Sequence, residues 1–364
     1  MFRYLLLILL ISASLTTQSN SFSSDLKTGN YFSFEQKDKF FSHLLNKDIS
    51  YQLDYTRWIP EESNGHVIVY NHGLQSHRAW FNSTAEYLRS IGYAVYAFDR
   101  IGSGTSSQAY ALDGYPLGIE DFLPFLPGIK VVKRRGHIQD YHIYLDSIDL
   151  MLDIVIQEQS SKSVHLWANS YGAKIITRYL LDEDRSNRVK SAIFTTPGLF
   201  RNQKTMPLPF SKLDLLGSKN ADYFPSPVTA INKDNGASWF TNTDTWLSKI
   251  SNDSLSVRHM TRKLALQTRA MDKYIADQSE YNNPLHKKKR LYLLVNDDAM
   301  MDNIKVLAHI EKNKLGSEVK FYEGGSTHKH FLTFTADAQA ALSDIHEFIL
   351  KQSKISTSTA RATP

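Results

Sequence analysis

The sequence predicts an α/β protein with a mostly parallel central sheet flanked by helices. From about His66 onward, short apolar and β-branched runs alternate with helical patterns, as in repeated βαβ units. The apolar runs are nearly continuous, which is typical of strands buried on both faces of a parallel sheet. A length of 364 residues accommodates one such core with an inserted cap.

The individual elements follow from residue spacing. The run Ile49–Trp58 alternates apolar and polar residues and predicts an antiparallel edge hairpin. The predicted parallel strands are His66–Asn71, Tyr93–Asp99, Val164–Trp167, Ala192–Thr195, Leu291–Asn296 and Val319–Tyr322. After Gly136, apolar residues recur every three or four positions and predict a long amphipathic helix; they are Ile138, Tyr141, Leu145, Ile148, Leu152 and Val155.

Two stretches interrupt the alternation and predict cap material above the sheet. Residues 107–133 contain prolines beside apolar side chains, and residues 200–285 are first rich in turn residues and then helical. The predicted organisation is therefore a core of residues 22–199 with the insertion 107–133, a cap over 200–285, a second core segment over 286–351 and a disordered tail over 352–364.

Composition excludes several classes of function. The net charge of +5 comes from scattered basic residues without a nucleic-acid-binding motif, so no nucleic-acid partner is expected. The chain has no cysteine, which excludes disulfides, thiolate metal sites and a cysteine nucleophile. No metal or organic cofactor is predicted.

The N-terminus resembles a secretory signal peptide over residues 1–21. A basic residue, Arg3, precedes an apolar run from Tyr4 to Ile11 and then small and polar residues. The apolar run is shorter than the about 20 residues that a membrane-spanning helix needs. We therefore expect export to the periplasm or the medium; the alternative is an uncleaved N-terminal anchor.

The segment from Val164 to Ala173 has the pattern of a nucleophile elbow centred on Ser170. A buried strand leads directly into a helix, and the sharp turn needs small residues two positions before and two after the nucleophile. Ala168 and Gly172 meet this requirement. The turn also brings the Tyr171 N–H to a helix N-terminus, where it favours negative charge.

A serine nucleophile needs a base and a carboxylate that orients the base. The last two predicted strands end just before Asp297 and Glu323. Candidates for the acid follow the first of them, and candidates for the base follow the second. The candidate acids are Asp298, with Asp297 and Asp302 as alternatives. The candidate bases are His328, the preferred residue, and His330. Each residue alone is commonly structural, and their order along the chain supports the assignment.

The oxyanion of the tetrahedral intermediate needs two N–H donors. Tyr171 is one candidate, and Leu74, in the loop after the first parallel strand, is the other. We expect substrate contacts from His72 and Gly73 in this loop and from Phe122 and Phe125 in the apolar insertion. The glycine-containing loop 99–104 follows the next strand; it lacks the lysine of a P-loop, so it is interpreted as a structural turn beside the site.

These motifs resemble the monoacylglycerol lipase and lysophospholipase branch of the α/β-hydrolases, which includes serine aminopeptidase-like members. The likeness covers about residues 49–351. Its pieces are His72-Gly73, the loop 99–104, Arg135-Gly136-His137-Ile138, the elbow, Asp298 with Asp302 four residues later, and the loop 324–328. The Asp-x-x-x-Asp spacing favours Asp298 as the acid. The chain departs from the family at Ala168 and Asn169, in its insertion and in a histidine loop about one residue longer.

The resemblance implies an α/β-hydrolase fold and hydrolysis of a carboxylic ester in a small lipid-like substrate, a monoacylglycerol or a lysophospholipid, through an acyl-enzyme. The apolar insertion is compatible with transient contact with a membrane surface. One alternative is a peptidase or amidase of the same fold, and another is a non-catalytic binding module. Acyl length, head group and oligomeric state are left open.

Overall fold

The computed structural model describes residues 30–35, 49–107, 109–111, 135–159, 162–207, 222–231, 234–277, 284–314, 316–324, 329–335 and 338–359. It confirms the predicted α/β architecture with a mostly parallel sheet and flanking helices. The predicted signal segment, 1–21, lies outside the described residues.

A nine-stranded sheet forms the centre of the fold. Its strands are β1 (Asn30–Glu35), β2 (Ile49–Trp58), β3 (His66–Asn71), β4 (Ala94–Phe98), β5 (Ala109–Ala111), β6 (Ser163–Asn169), β7 (Ser191–Thr195), β10 (Lys289–Val295) and β11 (Ser317–Tyr322). The order is β1-β2-β4-β3-β6-β7-β10-β11, with β5 paired to β2. The strands from β4 to β11 in this order are parallel. Ile49–Trp58 is one strand rather than the predicted hairpin, antiparallel to β1, β4 and β5.

Helices cover both faces because successive strand residues point to opposite sides. In β3, Val67 and Val69 join the core on one face, and Ile68 and Tyr70 join the core on the other. Helices α2 (His142–Glu158) and α3 (Tyr171–Leu180) pack on the first face, and α1 (Asn82–Ser90) and α10 (Ala338–Thr359) on the second. Short helix α4 (Glu183–Ser186) follows α3, and α9 (Asn303–Lys312) connects β10 to β11.

The segment between β7 and β10 forms a small unit over the carboxyl ends of the strands. It contains β8 (Tyr223–Pro225), β9 (His259–Thr261), α5 (Pro227–Ile231), α6 (Ala237–Phe240), α7 (Asp244–Asn252) and α8 (Arg262–Ala276). Phe240 and Ile250 of this cap pack with Trp80, Met301 and Phe331, which lie in loops after β3, β10 and β11. The cap therefore covers the sheet edge that the sequence assigns to chemistry.

Two predicted boundaries differ in the structure. Residues 109–111 of the predicted insertion form strand β5, and residues 112–134 lie outside the described part of the chain. Helix α10 continues to Thr359, so much of the segment predicted as a disordered tail is helical. Among the described residues, no helix is long and apolar enough to cross a membrane.

Candidate active site

Ser170 occupies a strained turn between β6 and α3. Asn169 ends the strand, Tyr171 begins the helix, and Ser170 has φ 50° and ψ −121°. A positive φ is costly for a residue with a side chain and persists where the surrounding structure enforces it. Gly172 belongs to this requirement, since a Cβ there would lie 2.2 Å from the Asn71 carbonyl oxygen. The sequence-predicted elbow is thus present as a strand, turn and helix.

The turn is enclosed by a second glycine that sequence analysis missed. The Gly198 N–H donates to the Ser170 carbonyl at 2.8 Å. A Cβ at Gly198 would lie 2.6 Å from the Ser170 carbonyl carbon and 2.8 Å from the Tyr171 nitrogen. The loop after β7 therefore packs directly on the elbow. Its position at the carboxyl end of a buried strand was the available signal.

Asp298 and His330 form a buried hydrogen-bonded pair. Asp298 Oδ2 lies 2.8 Å from His330 Nδ1, and both side chains are 1% exposed. The Met300 N–H donates to the other carboxylate oxygen at 2.8 Å. The carboxylate is therefore held by two partners, and the imidazole is oriented through Nδ1. This is the arrangement that a general base of a serine triad requires.

The two alternative acids have different surroundings. Asp297 is exposed and has φ 57°. Asp302 caps α9: its side chain accepts a hydrogen bond from the Lys305 N–H and forms an ion pair with the Lys305 ammonium. The sequence-based preference for Asp298 thus agrees with the residue that holds a histidine.

The preferred histidine requires a correction. Sequence analysis favoured His328 over His330, but the carboxylate of Asp298 is hydrogen-bonded to His330. His328 lies outside the described residues. The physical reason is contact with the cap: the backbone N–H of His330 donates to the Trp239 carbonyl at 3.2 Å, which places this histidine beneath the cap.

A short polar chain connects the elbow to the histidine. The Asn169 side-chain amide donates to Thr196 Oγ1 at 3.0 Å, and Thr196 Oγ1 donates to the His330 carbonyl at 2.5 Å. The residue preceding Ser170 is therefore two hydrogen bonds from the histidine. Sequence analysis did not identify Thr196, whose only signal was its position directly after β7.

The Nε2 atom of His330 is buried and has no hydrogen-bond partner among the described residues. A buried polar atom without a partner costs free energy, and one explanation for such an atom is a ligand or reacting group that completes the site. Nδ1 is held by a carboxylate, so Nε2 is the nitrogen left to exchange a proton. The arrangement is suited to general acid–base chemistry.

The loop after β3 lies against the nucleophile. A Cβ on Gly73 would be 3.2 Å from Ser170 Cβ, which brings the following residue, the predicted donor Leu74, close to the reaction centre. The predicted substrate contact by His72 requires a correction. This side chain is fully buried, its Nδ1 pairs with the Gly73 carbonyl at 2.8 Å, and its Nε2 accepts from the Arg100 N–H at 3.0 Å. Both ring nitrogens are occupied within the protein, so His72 braces the loop.

The pKa of His72 is held well below its usual value, by burial first and by the Arg100 charge second. The ring is therefore neutral, and because Nε2 accepts a hydrogen bond, the proton resides on Nδ1. The predicted substrate contacts Phe122 and Phe125 lie outside the described residues.

A buried carboxylate of the cap anchors it to the same loop. Asp253 accepts hydrogen bonds from His77 Nε2 at 2.8 Å and from Trp80 Nε1 at 2.6 Å. Burial alone would raise the pKa of Asp253, but the His77 and Trp80 bonds lower it to about 2. The cap is thereby fixed near the site, and its Phe240 ring lies 5.9 Å from the His330 ring.

The described residues include no group of three or more histidine, aspartate or glutamate side chains arranged to hold a metal ion. A cavity of about 310 Å³ lies between α9 and the ends of α3 and α8, lined partly by Leu181, Ile275 and His309. Its lining residues do not include Ser170, Asp298 or His330.

Comparison with known proteins agrees with this architecture. A probable lysophospholipase L2 from Haemophilus influenzae is 23% identical over 161 residues, which is 44% of this chain and 44% of that protein. The aligned region therefore spans less than half the length of the curated relative. A soluble variant of monoglyceride lipase from Saccharomyces cerevisiae, solved with a substrate analog, has a TM-score of 0.66 at 15% identity and covers 92% of this chain and 98% of its own.

The monoacylglycerol lipase of Paleococcus ferrophilus has a TM-score of 0.61 at 15% identity, covering 82% of this chain and 99% of its own. At these identities the structural likeness establishes the α/β-hydrolase fold. The family model described as serine aminopeptidase, S33, matches residues 62–329, which is well over half of the chain. The chain belongs to the serine aminopeptidase S33 family of α/β-hydrolases.

Proposed function

We propose that this protein is a serine hydrolase that cleaves the carboxylic ester of a monoacylglycerol or a lysophospholipid. Ser170 is the nucleophile, His330 the base, and Asp298 the residue that orients the base. The observation that supports this most is the buried Asp298–His330 pair with its free Nε2, joined to the elbow through Thr196.

The reaction follows from these positions. His330 Nε2 accepts the Ser170 hydroxyl proton as Ser170 Oγ attacks the ester carbonyl carbon. The resulting oxyanion accepts hydrogen bonds from the Leu74 and Tyr171 N–H groups. Its collapse breaks the carbon–oxygen bond, and His330 returns the proton to the departing alcohol. A water deprotonated by the same histidine then attacks the acyl-enzyme, which releases the fatty acid and restores Ser170.

A lipid substrate is supported by the apolar residues between the cap and the loops of the sheet. Trp80, Met206, Phe240, Met301, Phe331 and Phe334 belong to one buried cluster there. Two of its aromatic rings adjoin the proposed base, because the rings of Phe240 and Phe331 lie 5.9 Å and 6.0 Å from the His330 ring. The yeast structure is named a monoglyceride lipase, the Paleococcus structure a monoacylglycerol lipase, and the Haemophilus relative a probable lysophospholipase. An acyl chain is the substrate part that such a surface favours.

Labelling with a fluorophosphonate probe tests the chemistry, because only an activated serine reacts. We expect labelling of the wild type, none of Ser170→Ala, and at least a 1000-fold slower reaction of His330→Ala. His328→Ala is the matched control and is expected to react like the wild type. If His328→Ala loses labelling and His330→Ala keeps it, the assignment of the base is wrong. No labelling of the wild type would favour the binding-module alternative.

The substrate class is tested by a panel of model compounds. We expect hydrolysis of p-nitrophenyl esters, with kcat/KM rising with chain length, and little hydrolysis of aminoacyl amides. A preference for the amides would favour the peptidase alternative, which has the same triad. Monoacylglycerol and lysophosphatidylcholine with one common acyl chain then separate the two lipid classes.

The head group has a candidate contact in Arg201. The backbone of Arg201 forms an isolated antiparallel β-bridge with Met301, in the loop after β10. The Asn202 N–H donates to the Met300 carbonyl at 2.9 Å. Arg201 Nη1 is buried without a hydrogen-bond partner among the described residues, and burial lowers the pKa of the guanidinium. A phosphate diester would provide the missing acceptor.

The measurement is the ratio of kcat/KM for lysophosphatidylcholine to that for monoacylglycerol. We expect Arg201→Gln to lower this ratio about tenfold, and Lys204→Gln, which changes an exposed neighbouring cation, to leave it unaltered. An unchanged ratio in Arg201→Gln would show that Arg201 does not bind the head group.

The N-terminal sequence supports export as a further proposal. We expect the mature protein to lack residues 1–21 after secretion, with a boundary that N-terminal sequencing determines. Recovery of Met1 on the membrane-bound protein would instead support an anchor.

A further inference from the structure

The loop 99–104 was expected to be a structural turn beside the site, but its arginine contacts the loop that packs on Ser170. Arg100 is 1% exposed and lies behind the loop that contains Gly73. Its Nη2 donates to the Gly73 carbonyl at 2.7 Å and to the Leu74 carbonyl at 3.2 Å, and its Nε donates to the His72 carbonyl at 3.3 Å. Three consecutive carbonyls of the loop therefore face one guanidinium.

The Gly73 carbonyl belongs to the same peptide group as the Leu74 N–H. In a trans peptide the C=O and N–H point in opposite directions, so a cation bound to this oxygen directs the N–H away from itself. Gly73 packs on Ser170, with its Cβ position 3.2 Å from Ser170 Cβ. One short loop segment thus contacts Arg100 through its carbonyl oxygens and the nucleophile through Gly73.

Two hydrogen bonds to the Gly73 oxygen hold the orientation of this peptide. The Gly73 oxygen also pairs with His72 Nδ1 at 2.8 Å, so both acceptor positions of the carbonyl are used. His72 is itself positioned by the Arg100 N–H, which donates to His72 Nε2 at 3.0 Å. Rotation of the peptide would break both bonds to its oxygen. A hydrogen bond from a charged donor also polarises the peptide and strengthens its N–H as a donor.

The second proposed oxyanion donor contacts the same side chain. The Arg100 guanidinium carbon lies 5.1 Å from the centre of the Tyr171 ring and 5.4 Å from that of Tyr144, whose hydroxyl accepts from Nη1 at 3.3 Å. The adjacent carboxylate, Asp99, pairs with Arg78 instead. The charge of Arg100 is thus compensated by loop carbonyls and aromatic faces.

We propose that Arg100 is a positioning residue of the oxyanion hole. It fixes the Gly73–Leu74 peptide so that the Leu74 N–H is preorganised for the developing negative charge, and it packs on Tyr171 to hold the second donor. The proposal rests on the proposed ester hydrolysis. A preorganised donor acts in the transition state, so its loss lowers kcat with little change in KM.

The test compares two buried arginines. Arg290 is also fully buried and donates to the Asn313 carbonyl, and its guanidinium carbon lies 6.0 Å from the centre of the Tyr292 ring. It is at the start of β10, however, far from the carboxyl ends of the strands. The variants are Arg100→Met and Arg100→Lys, with Arg290→Met and Arg290→Lys as controls. The readouts are kcat and KM on a p-nitrophenyl ester, the affinity for an alkyl boronic acid, and the Tm.

We expect Arg100→Met to lower kcat about 100-fold, with KM within about threefold, and to weaken boronic acid binding in proportion to kcat. Arg100→Lys should recover part of kcat, because one ammonium contacts fewer carbonyls than a guanidinium. The Arg290 variants should lower Tm but keep kcat within about threefold. Arg100→Lys provides the kinetic comparison if Arg100→Met does not fold.

Several results would overturn the proposal: unchanged kcat in the Arg100 variants, an effect confined to KM, or an equal loss of kcat in the Arg290 variants. If neither Arg100 variant folds, the role is structural and the proposal is rejected. If the wild type itself hydrolyses no ester and is not labelled by fluorophosphonate, the proposed function fails. An active wild type with fully active Arg100 variants rejects only the role of Arg100.

Discussion

The protein is expected to lose stability steeply in mild acid because several histidines are buried in the neutral form. His165 is fully buried between His66 Nδ1, 3.0 Å from its Nε2, and Ser191 Oγ, 2.7 Å from its Nδ1. Burial and the neighbouring His66 lower the pKa of His165 to about 3. Burial likewise lowers the pKa of His66 and His72, and that of His309 to about 4.

The direction of this pH dependence follows from the protons that the chain takes up when it unfolds. In the unfolded chain these histidines titrate near a pKa of about 6.5, whereas in the folded protein they stay neutral at lower pH. As the pH falls below about 6.5, the unfolded state therefore binds more protons and the free energy of unfolding decreases. The decrease continues until the folded pKa is reached, which for His165 is about 3.

The magnitude can be estimated from His165, whose side chain is buried and whose folded pKa is about 3. This histidine lowers the free energy of unfolding by about 1.4 kcal/mol per pH unit between about pH 6 and pH 4.5, or by about 2 kcal/mol over that range. His72 acts in the same direction, because burial holds its pKa well below the usual value. The loss is a substantial part of the about 5–15 kcal/mol that is usual for a folded protein.

Urea unfolding at a series of pH values from 7 to 4.5 measures this slope. We expect His165→Asn to reduce the slope by about 1.4 kcal/mol per pH unit. His259→Asn, which changes an exposed histidine on β9, should leave the slope as in the wild type. A free energy of unfolding that is independent of pH over this range, or an equal slope in His165→Asn, would refute the reasoning.

Three substitutions test other parts of the structure. Gly198→Ala should lower kcat about 100-fold, because its Cβ would lie 2.8 Å from the Tyr171 nitrogen and force the elbow to shift; steady-state kinetics measures this, and full activity would contradict it. Asp253→Ala should lower the free energy of unfolding by about 3 kcal/mol, since His77 and Trp80 lose a buried acceptor; denaturant unfolding would disprove this by showing a change below about 1 kcal/mol. Gly172→Ala should give little soluble folded protein, because its Cβ would meet a carbonyl oxygen at 2.2 Å; normal expression with an unchanged Tm would argue against this.

Sequence patterns predicted the strands and the elbow because each of these depends on residues that are neighbours in the chain. Continuous apolar runs predicted β3, β6, β7 and β10, since a strand buried on both faces needs apolar side chains at successive positions. The elbow was equally visible, because the turn restricts the size of residues two positions on either side of Ser170. The predicted hairpin over Ile49–Trp58 was wrong because a single strand shows the same alternation of apolar and polar residues; β2 lies between β1 and β4 and pairs with both.

Sequence order alone left two histidines after the last strand. Only the tertiary structure identified the one that Asp298 holds, because this depends on the path of the loop and on the cap residues that bury it. The polar link through Thr196 and the contacts of Arg100 with Gly73 were likewise outside the reach of spacing, since they join segments tens of residues apart.

The amino-acid sequence by itself determined the type of fold, the strained serine turn and the order in which serine, acid and histidine occur, because each depends on neighbouring residues. The tertiary structure decided which side chains meet. Hydrogen-bond partners must come within about 3 Å of each other, and for residues distant in sequence that separation is fixed only when the sheet, the loops and the cap have packed together.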